Sequence, residues 1–412
     1  MTTRERAMWA LFIGLALVAH VDQTLLLWRM LERFGGADFS SFYYGFQAAA
    51  LGLDPYDAEL VAMLGAADGV DASIHPYFYP PPFLLVMAPW SLLTFDAAYR
   101  SWFFVDTGLM VLATGLLAAV LRGEGPRIPW VVVLAVLSLT ASANNHPMGQ
   151  MNWLCLTLVL GGVWAERRGR PALGGALVGA AALVKVTPVL FVLWWALRGR
   201  YRAAAAAIGA AVAGSVATAV ILPWRVTWRF WSDVLWGLGS GDYNGLLVPI
   251  GLFGNHSMPD WFHRVWPGGE TELSTPAAWA SRAFGVAVLA SLAVFWKRAP
   301  EQSSNAEFAA LAVAMLLVPV YTWEHHLIWA LPAMVLTFHA VLVRRLSPWW
   351  LALLVPADVF LSYELRNLRV TGTAIADTAP WAATLLRESK TLGLFALLAA
   401  SMRLATRPSA AE

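Results

Sequence analysis

Apolar positions along the chain gather into long blocks separated by short basic or longer aromatic stretches. Blocks suited to crossing a bilayer lie at 7–29, 99–121, 128–143, 151–165, 204–222, 277–296, 306–321, 325–342, 348–362 and 389–404. A hydrocarbon core needs about 20 helical residues, so these read as transmembrane helices. The block 171–197 is ambiguous, because Lys185 and Pro188 interrupt it. A lysine at mid-bilayer is costly unless it faces water or a partner. Read as two short helices meeting at Lys185, this block brings the expected total to about twelve crossings. The first block follows Arg4 and Arg6, is too long for a signal-peptide core and lacks a small-residue cleavage site, which predicts a retained first helix.

Basic residues choose between one and two helices at 171–197. Sixteen of the 28 lysines and arginines sit in short loops: Arg4, Arg6, Arg122, Arg127, Arg167, Arg168, Arg170, Arg198, Arg200, Arg202, Lys297, Arg298, Arg344, Arg345, Arg403 and Arg407. They share one side of the membrane only if 171–197 goes out and back, and positive loops stay cytoplasmic. The opposite face then holds three longer pieces, 30–98, 223–276 and 363–388, of which the first carries Asp38. The chain 1–412 is expected to be one integral membrane domain without internal repeats. Composition agrees, with 59% hydrophobic and only 13% charged residues. A net charge of +2 gives no reason to expect a nucleic-acid partner, and the single cysteine, Cys155, excludes an internal disulfide or a thiolate metal cluster.

Chemistry concentrates on the expected outer face. Asp38 stands before FSSFYYGF, which sets a carboxylate beside aromatic area that includes Tyr44. It is a candidate catalytic base; it is equally suited to cap the helix starting near Phe39. Three prolines in YPPPF at Tyr79–Phe83 cannot continue a helix and fix an extended or turn geometry, as a rigid linker or as the floor of a site. In Asn144–Asn152, Gln150 and Asn152 carry amides suited to sugar hydroxyls or to open helix ends. Lys185 at a helix break suits a lipid phosphate, with snorkelling as the alternative. Trp323–His326, WEHH, offers Glu324, His325 and His326, but adjacent histidines point apart on a helix, so hydrogen bonding to sugar or phosphate fits better than metal ligation. Asn255, His256, Arg366 and Arg369 complete the polar set. Asp22, Asp106 and Asp358 lie in or near crossing helices; they serve equally as paired structural groups and are kept out of the site.

The segments GADFSSFYYGFQAAALGLDPYD, YPPPFLLVMAP, GQMNWL, the block from Gly169 through LGGALVGAAALVKVTPVLF, GNHS and TWEHHLIWALPA occur in this order. Together they resemble the family 87 glycosyltransferases, polytopic bacterial enzymes of the GT-C class related to the polyprenyl-phosphate-mannose-dependent mannosyltransferases of actinobacterial phosphatidylinositol mannoside synthesis. The resemblance implies a GT-C-like all-α bundle with interfacial helices and loops on the periplasmic side of the inner membrane. It implies a polyprenyl-phosphate sugar donor, with mannose the family's usage, a glycolipid or glycan acceptor among the membrane lipids, and inversion at the anomeric carbon; the residues themselves offer no convincing metal-ligand set, and no cofactor or metal is expected. Asp38 takes the role of base. Lys185, His325, His326 and Arg366 would hold the donor phosphate, and Tyr44, Gln150, Asn152, Asn255, His256 and Glu324 the sugar or acceptor. Where the family pattern suggests Asn-Gln-Ser, this chain has His256 between Asn255 and Ser257. The competing classes are a transporter or flippase for a lipid-linked sugar, which also suits a polytopic chain with a broken helix, and a non-catalytic scaffold.

Overall fold

The computed structural model describes residues 2–31, 38–70, 74–300 and 304–406, which form helices and loops with no strand among them. Five of the described helices are long and apolar enough to cross a bilayer: Thr3–Met30, Phe95–Val120, Tyr201–Ile221, Thr275–Arg298 and Glu324–Leu342. The pair Ile128–Ser138 and Thr140–Met148, bent by 56°, makes a sixth if it is one span. The chain is thus an all-α polytopic membrane protein. Several segments of the expected dozen form shorter helices instead: Asn152–Arg167 has 16 residues, Pro171–Val184 has 14, Val189–Leu197 has 9 and Ser304–Leu317 has 14. The last expected crossing, 389–404, is the second part of Pro380–Ala405, whose first half carries Arg387, Glu388 and Lys390.

Two structural units make up the fold. One comprises Thr24–Leu116 and Asn144–Val248, the other Met1–Gln23, Leu117–Ala143 and Pro249–Glu412. In the first, the ambiguous block resolves into Pro171–Val184 and Val189–Leu197 with the break at Lys185, whose backbone is extended. Small residues set the packing here. A Cβ on Gly174 would come within 2.6 Å of the Gly162 carbonyl oxygen, and on Gly175 and Gly179 it would collide with the carbonyls of Ala203 and Ala207. Glycines at such spacing let helix backbones touch inside a membrane, where the hydrophobic effect gives little drive to associate. The YPPPF run starts a helix rather than extending throughout: Pro80 is extended, and Pro81 and Pro82 open Pro81–Met87. Proline is well suited to that position because its missing N–H would lack a helical partner anyway.

In the second unit Ser304–Leu317 is buried along every residue from Ala306 to Leu317. Apart from the buried Glu307 it is apolar all round from Ala306 on, and it forms a core helix. Leu331–Leu342 and Pro380–Ala405 pack against it. The long outer segments are structured as well, with Phe39–Ala50 and Ala58–Ala67 in 30–98, Met258–Val265 in 223–276 and Leu365–Ile375 in 363–388.

Candidate active site

Asp38 stands at the N-cap position of Phe39–Ala50, yet its side chain makes no capping bond. Its backbone is helical rather than extended, with φ −100° and ψ −30°, which differs from the extended geometry typical of a capping residue. The Asp38 Oδ2 atom is buried without a hydrogen-bond partner. A buried carboxylate oxygen left open costs stability and needs a reason. Its backbone is held in place: the Asp38 N–H donates to the Met148 carbonyl at 3.3 Å. Gly149, with φ +68°, lets the chain approach so closely that a Cβ there would lie 2.5 Å from that of Phe39.

Lys185 belongs to the same unit. Its ammonium donates to Gln150 Oε1 at 3.0 Å and to Asn152 Oδ1 at 2.8 Å, and lies 5.6 Å from the centre of the Tyr79 ring. Tyr79 Oη donates to the same Gln150 oxygen at 3.4 Å. Asp38 is near enough to act electrostatically on both Tyr79 and Lys185. Burial pulls the Lys185 pKa down to about 8, against the upward pulls of Cys155 and Asp38. Burial also pushes the Tyr79 phenol well up, so it remains a neutral donor. Two of the three ammonium hydrogens are used by the amides, which leaves one for a ligand. Asp38, Tyr79, Gln150, Asn152 and Lys185 thus form one cluster, with an open carboxylate and a cation near each other.

Behind that cluster runs a buried chain that sequence reasoning left out. Asn152 Nδ2 donates to Asn145 Oδ1 at 3.0 Å, and Asn145 Nδ2 donates to Asp106 Oδ2 at 2.9 Å. The same Asp106 oxygen lies 2.6 Å from His146 Nδ1. The available signal was an acidic residue inside an apolar block, which is functional by default.

The other expected site residues have different surroundings. Tyr44 lies outside this cluster: fully buried, its hydroxyl donates to Asp68 at 3.3 Å while its ring stacks on Phe95. Asn255, in the second unit, spends its amide on backbone. It donates to Ile250 and Val320 at 3.0 and 2.9 Å and accepts from Ser257 and Thr322 at 3.3 and 2.9 Å. Glu324 is paired through both oxygens, with His256 Nε2 at 2.6 Å and Lys390 Nζ at 2.7 Å. Lys390, which sequence reasoning missed although it opens the block 389–404, is fully buried and also donates to the Tyr363 carbonyl at 3.0 Å. The Trp323 N–H donates to His326 Nδ1 at 3.1 Å, which leaves Nε2 to carry the proton of a neutral ring. His325 is buried, its ring 4.4 Å from that of His326 and nearly perpendicular to it. Arg366 is exposed on Leu365–Ile375. Asp54, another outer carboxylate, pairs with Arg229.

The profile of glycosyltransferase family 87 matches residues 77–323, more than half of the chain. That span includes Asp106, Gln150, Asn152, Lys185, Asn255 and His256, and starts after Asp38. A polyprenol-phosphate-mannose-dependent alpha-(1-2)-phosphatidylinositol mannoside mannosyltransferase of Mycolicibacterium smegmatis is 27% identical over 304 residues, covering 68% of this chain and 65% of the relative. The enzyme of the same description from Mycobacterium tuberculosis is 24% identical over 290 residues, covering 66% and 63%. A Mycolicibacterium smegmatis enzyme described as acting on phosphatidylinositol pentamannoside is 28% identical over 291 residues, covering 68% and 66%. The chain therefore spans a little under two thirds of the first two relatives' length. On the extent of the profile match, the chain belongs to glycosyltransferase family 87.

Proposed function

We propose that this protein is an inverting glycosyltransferase that moves mannose from a polyprenyl-phosphate donor to a lipid-linked acceptor at the periplasmic face of a bacterial inner membrane. The observation that carries the reading is the unpartnered Asp38 oxygen in a cluster with the Lys185 cation. Family membership and the donor named for the relatives support it, and the loop charges support the orientation. In this reading Asp38 accepts the proton of the acceptor hydroxyl as its oxygen bonds to the anomeric carbon. The bond from that carbon to the phosphate oxygen breaks, and polyprenyl phosphate leaves with its electron pair. The transition state is oxocarbenium-like, as in glycoside hydrolysis. A base within hydrogen-bond reach of the hydroxyl suffices on one side. On the other, the free hydrogen of Lys185 stabilises the departing phosphate, and Gln150, Asn152 and Tyr79 hold that cation in place.

The test is transfer of labelled mannose from synthetic polyprenyl-phosphate mannose to a phosphatidylinositol mannoside, using full-length protein in lipid nanodiscs beside Asp38→Asn. A glycolipid product from the wild type alone is the expected result. Equal product from the variant removes Asp38 as base. No product across a panel of polyprenyl-phosphate sugars, together with transbilayer movement of the donor, would put the flippase reading in its place.

A further inference from the structure

The chain of bonds from Lys185 to Asp106 has a direction. Lys185 donates to Asn152, Asn152 to Asn145, and Asn145 to Asp106, at 2.8, 3.0 and 2.9 Å. Each amide therefore presents its oxygen toward the cation and its nitrogen toward the carboxylate, so the dipoles add along the chain. Asn145, Asn152 and Asp106 are fully buried, which removes the water that would otherwise screen the two ends. Asn145 also donates to the Gln150 carbonyl at 3.2 Å, and Gln150 is the second acceptor of Lys185. A carboxylate at one end thus orients, through Asn145, the Asn152 amide that holds the ammonium at the other, while the same Asn145 amide fixes the Gln150 backbone.

We propose that Asp106 is a positioning residue for Lys185: through Asn145 and Asn152 it keeps the ammonium charged and aimed at the side of the cluster where Asp38 stands. The proposal deepens the glycosyltransferase reading, and its phosphate role for Lys185 rests on that reading, whereas the electrostatic coupling does not. Few other groups act on the lysine. Asp38 and the Cys155 thiol oppose the effect of burial, and the neutral Tyr79 ring lies alongside. At the far end, His146 faces the same Asp106 oxygen as Asn145. An opposite charge favours the protonated lysine. As a scale, a unit charge on the order of 10 Å away, at an effective dielectric near 20, is worth about one pH unit of a lysine pKa.

Asp106→Asn removes the charge and nearly preserves the shape. The chain has only three lysines, Lys185, Lys297 and Lys390, so 13Cε-lysine labelling of the full protein in nanodiscs gives three resonances, with Lys185→Arg assigning one. The expected result is a Lys185 titration lower by about one pH unit in Asp106→Asn, with Lys297 unmoved. The alkaline limb of mannosyl transfer should move with it, about a tenfold loss on that limb, while activity at pH 6 stays near wild type. A Lys185 titration that does not move overturns the proposal. Should Asp106→Asn fail to fold, Asp106→Ser removes the same charge in a smaller side chain; an unmoved Lys185 titration there is equally fatal. Because the resonance is read without substrate, a moved titration in a protein that transfers no sugar sustains the coupling and removes only the reaction.

Discussion

The two units each contain a buried polar cluster made of a carboxylate, a lysine and side-chain amides, and they differ in whether the cluster is closed. In the second unit Glu324 has a partner on each oxygen, and Asn255 makes four bonds to backbone. In the first, Asp38 has an oxygen with no partner and Lys185 keeps a hydrogen in reserve. Similar residue types thus serve opposite ends. A closed network specifies a structure, because breaking it leaves a buried charge uncompensated. An open one costs stability and awaits a ligand.

Substitutions distinguish the open cluster from the closed one. Asp38→Asn should lower transfer about 1000-fold, within the range for losing a general base, with an unchanged melting temperature. A stability loss instead would make Asp38 a structural group. Glu324→Gln should do the reverse: it lowers unfolding stability by about 3 kcal/mol, because His256 and Lys390 lose their buried counter-charge, while folded protein keeps most of its turnover. Chemical denaturation and initial rates on the same preparation separate the two. Lys185→Met should reduce kcat about 100-fold without destabilising the protein, since a half-buried cation is replaced by an apolar chain of similar length. Activity that needs the Lys185 ammonium is fully present well below pH 8, is half lost near the pKa of about 8 and continues to fall above it, because burial has drawn the folded-state pKa down. A rate profile flat to pH 10 would detach the lysine from the reaction. Tyr44→Phe sharpens the contrast from the other side. It removes one hydrogen bond to Asp68, costs about 1 kcal/mol, and leaves KM and kcat alone.

Much of this was legible in the apolar pattern, and what was not has physical reasons. The helix break at Lys185 followed from a cation and a proline inside an apolar block, and the helix after Asp38 from the aromatic run that needs burial. The full crossings were harder to count. Asn152–Arg167 and Ser304–Leu317 are apolar enough to read as spans, yet the first stops just before Gly169, whose φ is +75°, and the second just before Pro319. Asp38, Lys185, Gln150 and Asn152 were each visible as polar groups in an apolar context, and the structure brings them together. Asn255 and Glu324 gave the same sequence signal as Gln150, because a residue's letter does not tell whether its partners come from the protein or from a substrate. Lys390 escaped notice, and Asp106 was set aside as a paired structural group, for the converse reason: each sits in a block whose neighbours announce a membrane helix, and its partner lies dozens of positions away.

Gly175 and Gly179 bear on how this protein tolerates change. A Cβ at either one would meet backbone first and the short, rotamerless side chain of Ala206 or Ala210 next, so a larger residue cannot be absorbed by a rotamer shift and must displace a helix. The helix displaced is the one that ends at Lys185. Alanine at these two positions is therefore a lever on the Asp38–Lys185 cluster from a distance: one methyl group would strain the helix that carries the cation while leaving every polar residue intact.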